Sequence, residues 1–111
     1  MDGRDRFEEL VEAGFPVVET HGKDRTSEAT AVRLGESGIE VRMPADALPE
    51  KGFSWLEFTL PGDGYRVKAL GEVADVNGSQ HGWAFVRFLF KHVFPRDMAA
   101  MRQFLQARAA A

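Results

Sequence analysis

The chain has 111 residues, 44% hydrophobic and 28% charged, the profile of one globular domain large enough to bury a core without staples. It contains no cysteine, which excludes disulfides, thiolate catalysis and cysteine-bound zinc, and its net charge of −3 argues against a surface built for nucleic-acid backbones. The charged N-terminus lacks the apolar stretch of a signal peptide, and no apolar run approaches the roughly 18 residues of a spanning helix, so a cytoplasmic protein without membrane insertion is expected.

Residues 1–14 read as a helical segment. Asp5 and Glu8 have capping-box spacing, Phe7, Leu10 and Val11 share a stripe, and Gly14 suits the position after the last turn. Arg4 and Arg6 stand at its front, where cations oppose the helix dipole, so they form an arm before the helix or face solvent. Residues 15–109 read as the main body. Phe15–His21 is a short strand that Pro16 places at an edge or a strand start, followed by a polar turn over His21–Ser27.

The run Ala31–Met43 reads as strand, tight turn, strand. Thr30, Val32 and Leu34 alternate with Ala31 and Arg33, which places the apolar set on one face. Gly35-Glu36-Ser37-Gly38 interrupts the alternation, and two glycines three apart suggest a reversal that uses positive φ. Ile39, Val41 and Met43 resume the pattern until Pro44 ends it. A sharp turn of this kind seats an anion or a partner, or is only a tight β connection.

Pro44–Gly52 reads as a loop with one helical turn near Ala45–Leu48. Phe53–Leu60 is a strand with Leu56, Phe58 and Leu60 on one side and Trp55, Glu57 and Thr59 on the other. Pro61-Gly62-Asp63-Gly64 is the clearest hairpin signal, and Tyr65–Val76 is the returning strand. Gly71 falls on the inner phase of that strand, which suggests a bend or a close backbone approach. Asn77-Gly78 reads as the next hairpin turn, extended through Ser79–Gly82. Trp83–Phe90 is the last strand, with Ala84, Val86, Phe88 and Phe90 inward. A helix from about Pro95 to Ala109 closes the chain, with Pro at its first position and Met98, Met101 and Leu105 on one stripe. About six short strands with a helix at each end point to a small antiparallel barrel or sandwich.

The order Val32-Arg33-Leu34-Gly35-Glu36-Ser37-Gly38, then Gly71-Glu72-Val73, then Gly82-Trp83-Ala84-Phe85-Val86-Arg87-Phe88, then a helix ending Arg102-Gln103-Phe104-Leu105, resembles a PilZ domain from Phe15 to Leu105. The resemblance implies an all-β fold, a six-stranded antiparallel barrel with a C-terminal helix, in a bacterial signalling protein. It also implies a ligand, cyclic di-GMP, held by an Arg-x-x-x-Arg stretch before the first strand and by Asp/Asn-x-Ser-x-x-Gly at a barrel turn. Arginine forks suit guanine edges and phosphates, and the acidic or amide side chain accepts from guanine N–H groups.

The chain departs from both motifs. With Gly38 aligned to the motif glycine, Arg33 stands at the Asp/Asn position and Gly35 at the serine position, so an acceptor has become a donor-only cation. Counting back for the first motif lands near Phe7–Val11, and the nearest arginines are Arg4 and Arg6. Losing three or four charge-assisted hydrogen bonds is worth on the order of 5–10 kcal/mol, enough to remove micromolar affinity. The expectation is a protein with no cofactor, acting mainly through an unidentified protein partner, with cyclic di-GMP binding weak or absent. The alternative is a true receptor that uses Arg4, Arg6 and the turn formed by Arg33, Gly35, Ser37 and Gly38.

Trp55, Trp83, Phe85 and Leu89 fall on the outward phase of their strands and are the candidate partner contacts, although docking of the terminal helices is expected to cover at least half of them. Catalysis is not expected. His21, His81 and His92 lack metal-site spacing, and Glu19 beside His21 is ordinary for a solvated turn. Ser37 reads as a turn residue rather than a nucleophile. A nucleic-acid-binding barrel is disfavoured by the acidic balance and by Arg25, Arg33 and Arg42 alternating with Glu28, Glu36 and Glu40, read as a solvated mixed-charge face.

Overall fold

A computed structural model describes residues 11–23, 25–49 and 52–110. Among these residues seven strands form one antiparallel sheet: β1 (Val11–Glu12), β2 (Pro16–His21), β3 (Arg25–Leu34), β4 (Gly38–Pro44), β5 (Phe53–Thr59), β6 (Arg66–Gln80) and β7 (Trp83–Val93). β3 bonds to both β2 and β4, and the circuit β3-β2-β5-β6-β7-β4 returns to β3. The six long strands therefore make a closed barrel. Closure pairs edges that an open sheet would leave to other chains. A 3-10 turn spans Ala45–Ala47, and α1 runs from Pro95 to Ala110.

The period-two pattern builds the core. Val17, Ile39, Val41, Met43, Leu56, Val67, Val86 and Phe88 are buried inward positions of β2, β4, β5, β6 and β7. α1 lies across one end. Met101 is fully buried there, Met98, Phe104 and Leu105 pack on the core, and the Phe15 ring stacks on Phe58 at 5.4 Å and meets Phe104 edge-on at 6.3 Å. Asp97 ties the start of α1 to β6. It accepts from the Tyr65 hydroxyl at 2.9 Å and from the Lys68 amide at 3.1 Å.

Several local expectations change in the tertiary context. The helix expected over residues 1–14 ends on residues that are extended instead; its first ten residues lie outside the described ones. Val11 and Glu12 pair with Leu34 and Arg33, and the amides of Ala13 and Gly14 donate to Val32 and Ala31. β3 reaches beyond the end of β2, and the backbone of 11–14 fills that edge.

Within β3 the apolar alternation slips. Val32 is an extra residue between the Ala31–Val41 and Arg33–Glu40 pairs, so Ala31 and Leu34 both point inward while Val32 is half-buried. The next turn is tight, with the Gly35 amide donating to the Gly38 carbonyl at 2.9 Å, yet neither glycine has positive φ. Both are buried, so close approach rather than handedness accounts for them.

The turn expected from Asn77-Gly78 through Gly82 falls at the far end of that stretch. β6 continues through a bulge to Gln80, and the two-residue turn is His81-Gly82, with φ of 56° and 84°. Two consecutive positive φ values match the twist of the flanking strands. The Pro61–Gly64 turn is where it was expected, closed by the Leu60 amide on the Tyr65 carbonyl at 2.8 Å.

Candidate functional site

The site that the resemblance points to is the outer face of β3 and β4 and the turn between them. Arg33 lies on that face, and its guanidinium is already engaged. Nε donates to Oε1 of Glu40 at 2.9 Å, and a terminal nitrogen reaches the same oxygen at 2.8 Å. Glu40 is only 7% exposed, which corrects its reading as part of a solvated charge face. Glu36 and Arg25 do lie exposed.

The register extends this pair into a row. Asp75 on β6 stands opposite Arg87 on β7, Arg87 opposite Glu40 on β4, Glu40 opposite Arg33 on β3, and Arg33 opposite Glu12 on β1. Directly opposed residues of an antiparallel ladder share a face, with Cβ atoms about 5 Å apart. One charge per strand, alternating in sign, thus crosses five strands. The cavity over this part of the face has a volume of about 530 Å³ and is lined by Glu12, Gly14, Val32, Arg33 and Glu40. It presents two carboxylates and one guanidinium, the wrong balance for a bis-phosphorylated ligand.

The turn itself faces α1. Oε1 of Glu36 accepts from Arg102 Nε at 2.6 Å, and the Ser37 carbonyl accepts from the Phe90 amide at 2.8 Å. Ser37 is half-buried, and with Phe90, Lys91, Met98 and Arg102 it lines a groove of about 690 Å³ between the turn and the helix. Gly35, Ser37 and Gly38 therefore lie together, next to Arg33 in the chain but separated from its guanidinium contacts. Arg4 and Arg6 lie outside the described residues.

The four candidate contact residues do not form one patch. Trp83 is 42% exposed, with the Arg42 guanidinium 5.0 Å from its ring centroid, and Phe85 pairs with Arg42 in register. Trp55 lies on β5, opposite Leu70, with Lys68 Nζ 4.9 Å from its ring. Leu89 sits one row from it, opposite Glu72. The charged row through Arg87 and Glu40 runs between the Trp83 group and the Trp55 group. α1 packs over the barrel end and leaves both tryptophans exposed, while Phe85 and Leu89 are half-buried.

Sequence reasoning missed two features. Glu19 is fully buried rather than solvated, and its carboxylate contacts His21 Nδ1 at 2.7 Å. The available signal was phase, because Val17 and Glu19 are two residues apart and share the inner face. The cross-strand charge row left no signal along the chain. Among the described residues no three His, Asp or Glu side chains converge as a metal site, and no helix is long and apolar enough to cross a membrane.

No family model and no curated protein matches this chain. Among solved structures it resembles the Bacillus subtilis inhibitor of motility (MotI/DgrA), with a TM-score of 0.77 at 13% identity. The likeness covers 91% of this chain and 49% of that one, so this chain spans about half of its length. At that identity the likeness speaks for the fold alone: a six-stranded antiparallel barrel with a C-terminal helix, the architecture that the resemblance implied.

Proposed function

We propose that this chain is a non-catalytic, cytoplasmic PilZ-type signalling module in a bacterial cyclic di-GMP-linked pathway, acting mainly through protein contacts and binding the dinucleotide weakly or not at all. The observation that carries this reading is the Arg33–Glu40 pair. The guanidinium at the motif's acceptor position is spent on a buried carboxylate, and the adjoining cavity adds Glu12. A ligand phosphate would have to compete with Glu40 and meet a second carboxylate. The resembling protein is named an inhibitor of motility, which makes a motility assay the natural first phenotype.

The partner contact is assigned to the Trp83, Phe85 and Arg42 side of the charged row. Aromatic and arginine side chains dominate such surfaces because they combine area with few torsions to freeze. Titration calorimetry with cyclic di-GMP tests the ligand half of the reading, with no saturable heat expected in the micromolar range. A sub-micromolar isotherm that vanishes in Arg4→Ala/Arg6→Ala would instead establish a receptor built on the N-terminal arm and the Arg33–Gly38 turn. Trp83→Ala tests the contact half. The melting temperature should hold while partner capture is lost; a sharp drop in melting temperature would make Trp83 part of the core instead.

A further inference from the structure

The outer face of β5 and β6 carries an apolar band that the reading above leaves unused. Trp55, Leu70 and His92 stand in one row across β5, β6 and β7. Phe53 is on the same face of β5, and the Phe94 ring meets His92 at 4.9 Å. Phe53 is 55% exposed, Trp55 37% and Phe94 48%, so three of the five exposed large hydrophobic residues among the described ones lie along this band. A contiguous exposed aromatic band marks an interaction surface.

The charges beside the band identify its occupant. The outward positions of β6 read Arg66, Lys68, Leu70, Glu72: two cations before the central leucine and a carboxylate after it. We propose that this face pairs with the same face of a second copy, about a two-fold axis that lies in the interface and crosses β6 at Leu70. Such an axis reverses the strand. Lys68 of each copy then meets Glu72 of the other, while Leu70 and Trp55 meet their own counterparts at the centre. An isologous interface requires this kind of self-complementarity, in which one patch supplies both halves of every contact. Glu72 already holds Lys91 at 3.2 Å, so a second ammonium from the partner shares a carboxylate fixed in place. The band is narrow, which places the dimer at the weak end of specific interfaces.

The test needs no ligand: light scattering and analytical ultracentrifugation of the full chain over a concentration series. A concentration-dependent monomer–dimer equilibrium is expected. Trp55→Glu, Lys68→Glu and Glu72→Lys should each weaken it by about tenfold or more. The double swap Lys68→Glu/Glu72→Lys should recover most of the loss, because the two-fold axis restores both ion pairs with their signs exchanged. Melting curves of each variant separate association from folding, and the charge variants keep the test decisive should Trp55→Glu not fold. A monomer at every concentration would overturn the proposal. So would a double swap no tighter than the single variants, or a dimer broken by Trp83→Glu and untouched by the charge variants. None of these outcomes bears on cyclic di-GMP binding, which is measured separately.

Discussion

Arg33 and Glu40 face each other across β3 and β4, with the guanidinium on Oε1 at 2.9 and 2.8 Å and the carboxylate almost fully withdrawn from solvent. The pair converts a position that the PilZ resemblance associates with ligand acceptance into a cross-strand clamp. Removing Arg33 leaves Glu40 buried with one guanidinium neighbour fewer. Because the Arg33 side chain is partly exposed, the cost of Arg33→Ala is set at about 1–2 kcal/mol rather than that of a fully buried pair. Urea unfolding should show a lower midpoint at unchanged slope, with Arg33→Lys between Arg33→Ala and the parent.

A second clamp lies inside the barrel wall. His21 holds the fully buried Glu19 carboxylate at 2.7 Å. His21→Ala should destabilise by about 3 kcal/mol, since it leaves the carboxylate buried without its partner. The double variant Glu19→Met/His21→Leu should lie closer to the parent than His21→Ala does, because an apolar pair removes the desolvation problem from both sides. Chemical denaturation of the two variants checks the order.

Gly71 is held by space rather than by dihedral angle. A Cβ there would sit 3.0 Å from Leu56 Cδ1 and 3.0 Å from Phe88 Cβ. Leu56 can rotate away, but the Phe88 atom moves only with the β7 backbone. Gly71→Ala should therefore destabilise by about 1–2 kcal/mol, the overpacking cost less the smaller gain from a stiffer unfolded chain. The thermal midpoint should fall accordingly.

Tyr65 supplies a pH-dependent term. Burial, then the hydrogen bond and charge of Asp97, push its phenol above the ordinary value of 10.0. A raised value favours the neutral form in the folded state. The contribution is thus complete below the unfolded value and is lost as pH climbs from there through the folded one. Tyr65 is the single tyrosine, so tyrosinate absorbance reports it alone. Its titration should run above that of the unfolded chain, and Asp97→Asn should bring it back toward the ordinary value.

The barrel's strands and the closing helix were legible because their signals are local. Alternation placed Leu56, Phe58, Val67, Ala69, Val86 and Phe88 inward, and Pro61–Gly64 marked its own turn. Local signals misled where an edge or a bulge intervened. Val11–Glu12 took strand form because β3 offered an unpaired edge, and Asn77-Gly78 passed into a bulge because the ladder with β7 continued to Gln80.

Residue identities along the chain were sufficient to set Arg33, a donor-only side chain, where the motif that the resemblance implies has an acceptor, since that is a matter of which atoms can donate or accept. Only the closed barrel decided what Arg33 does instead. Glu12, Arg33, Glu40, Arg87 and Asp75 are scattered over most of the chain, and strand register alone sets them side by side. A one-residue slip would turn each side chain to the opposite face, so the charged row, the two separate aromatic groups and the burial of Glu19 exist only once the strands have paired.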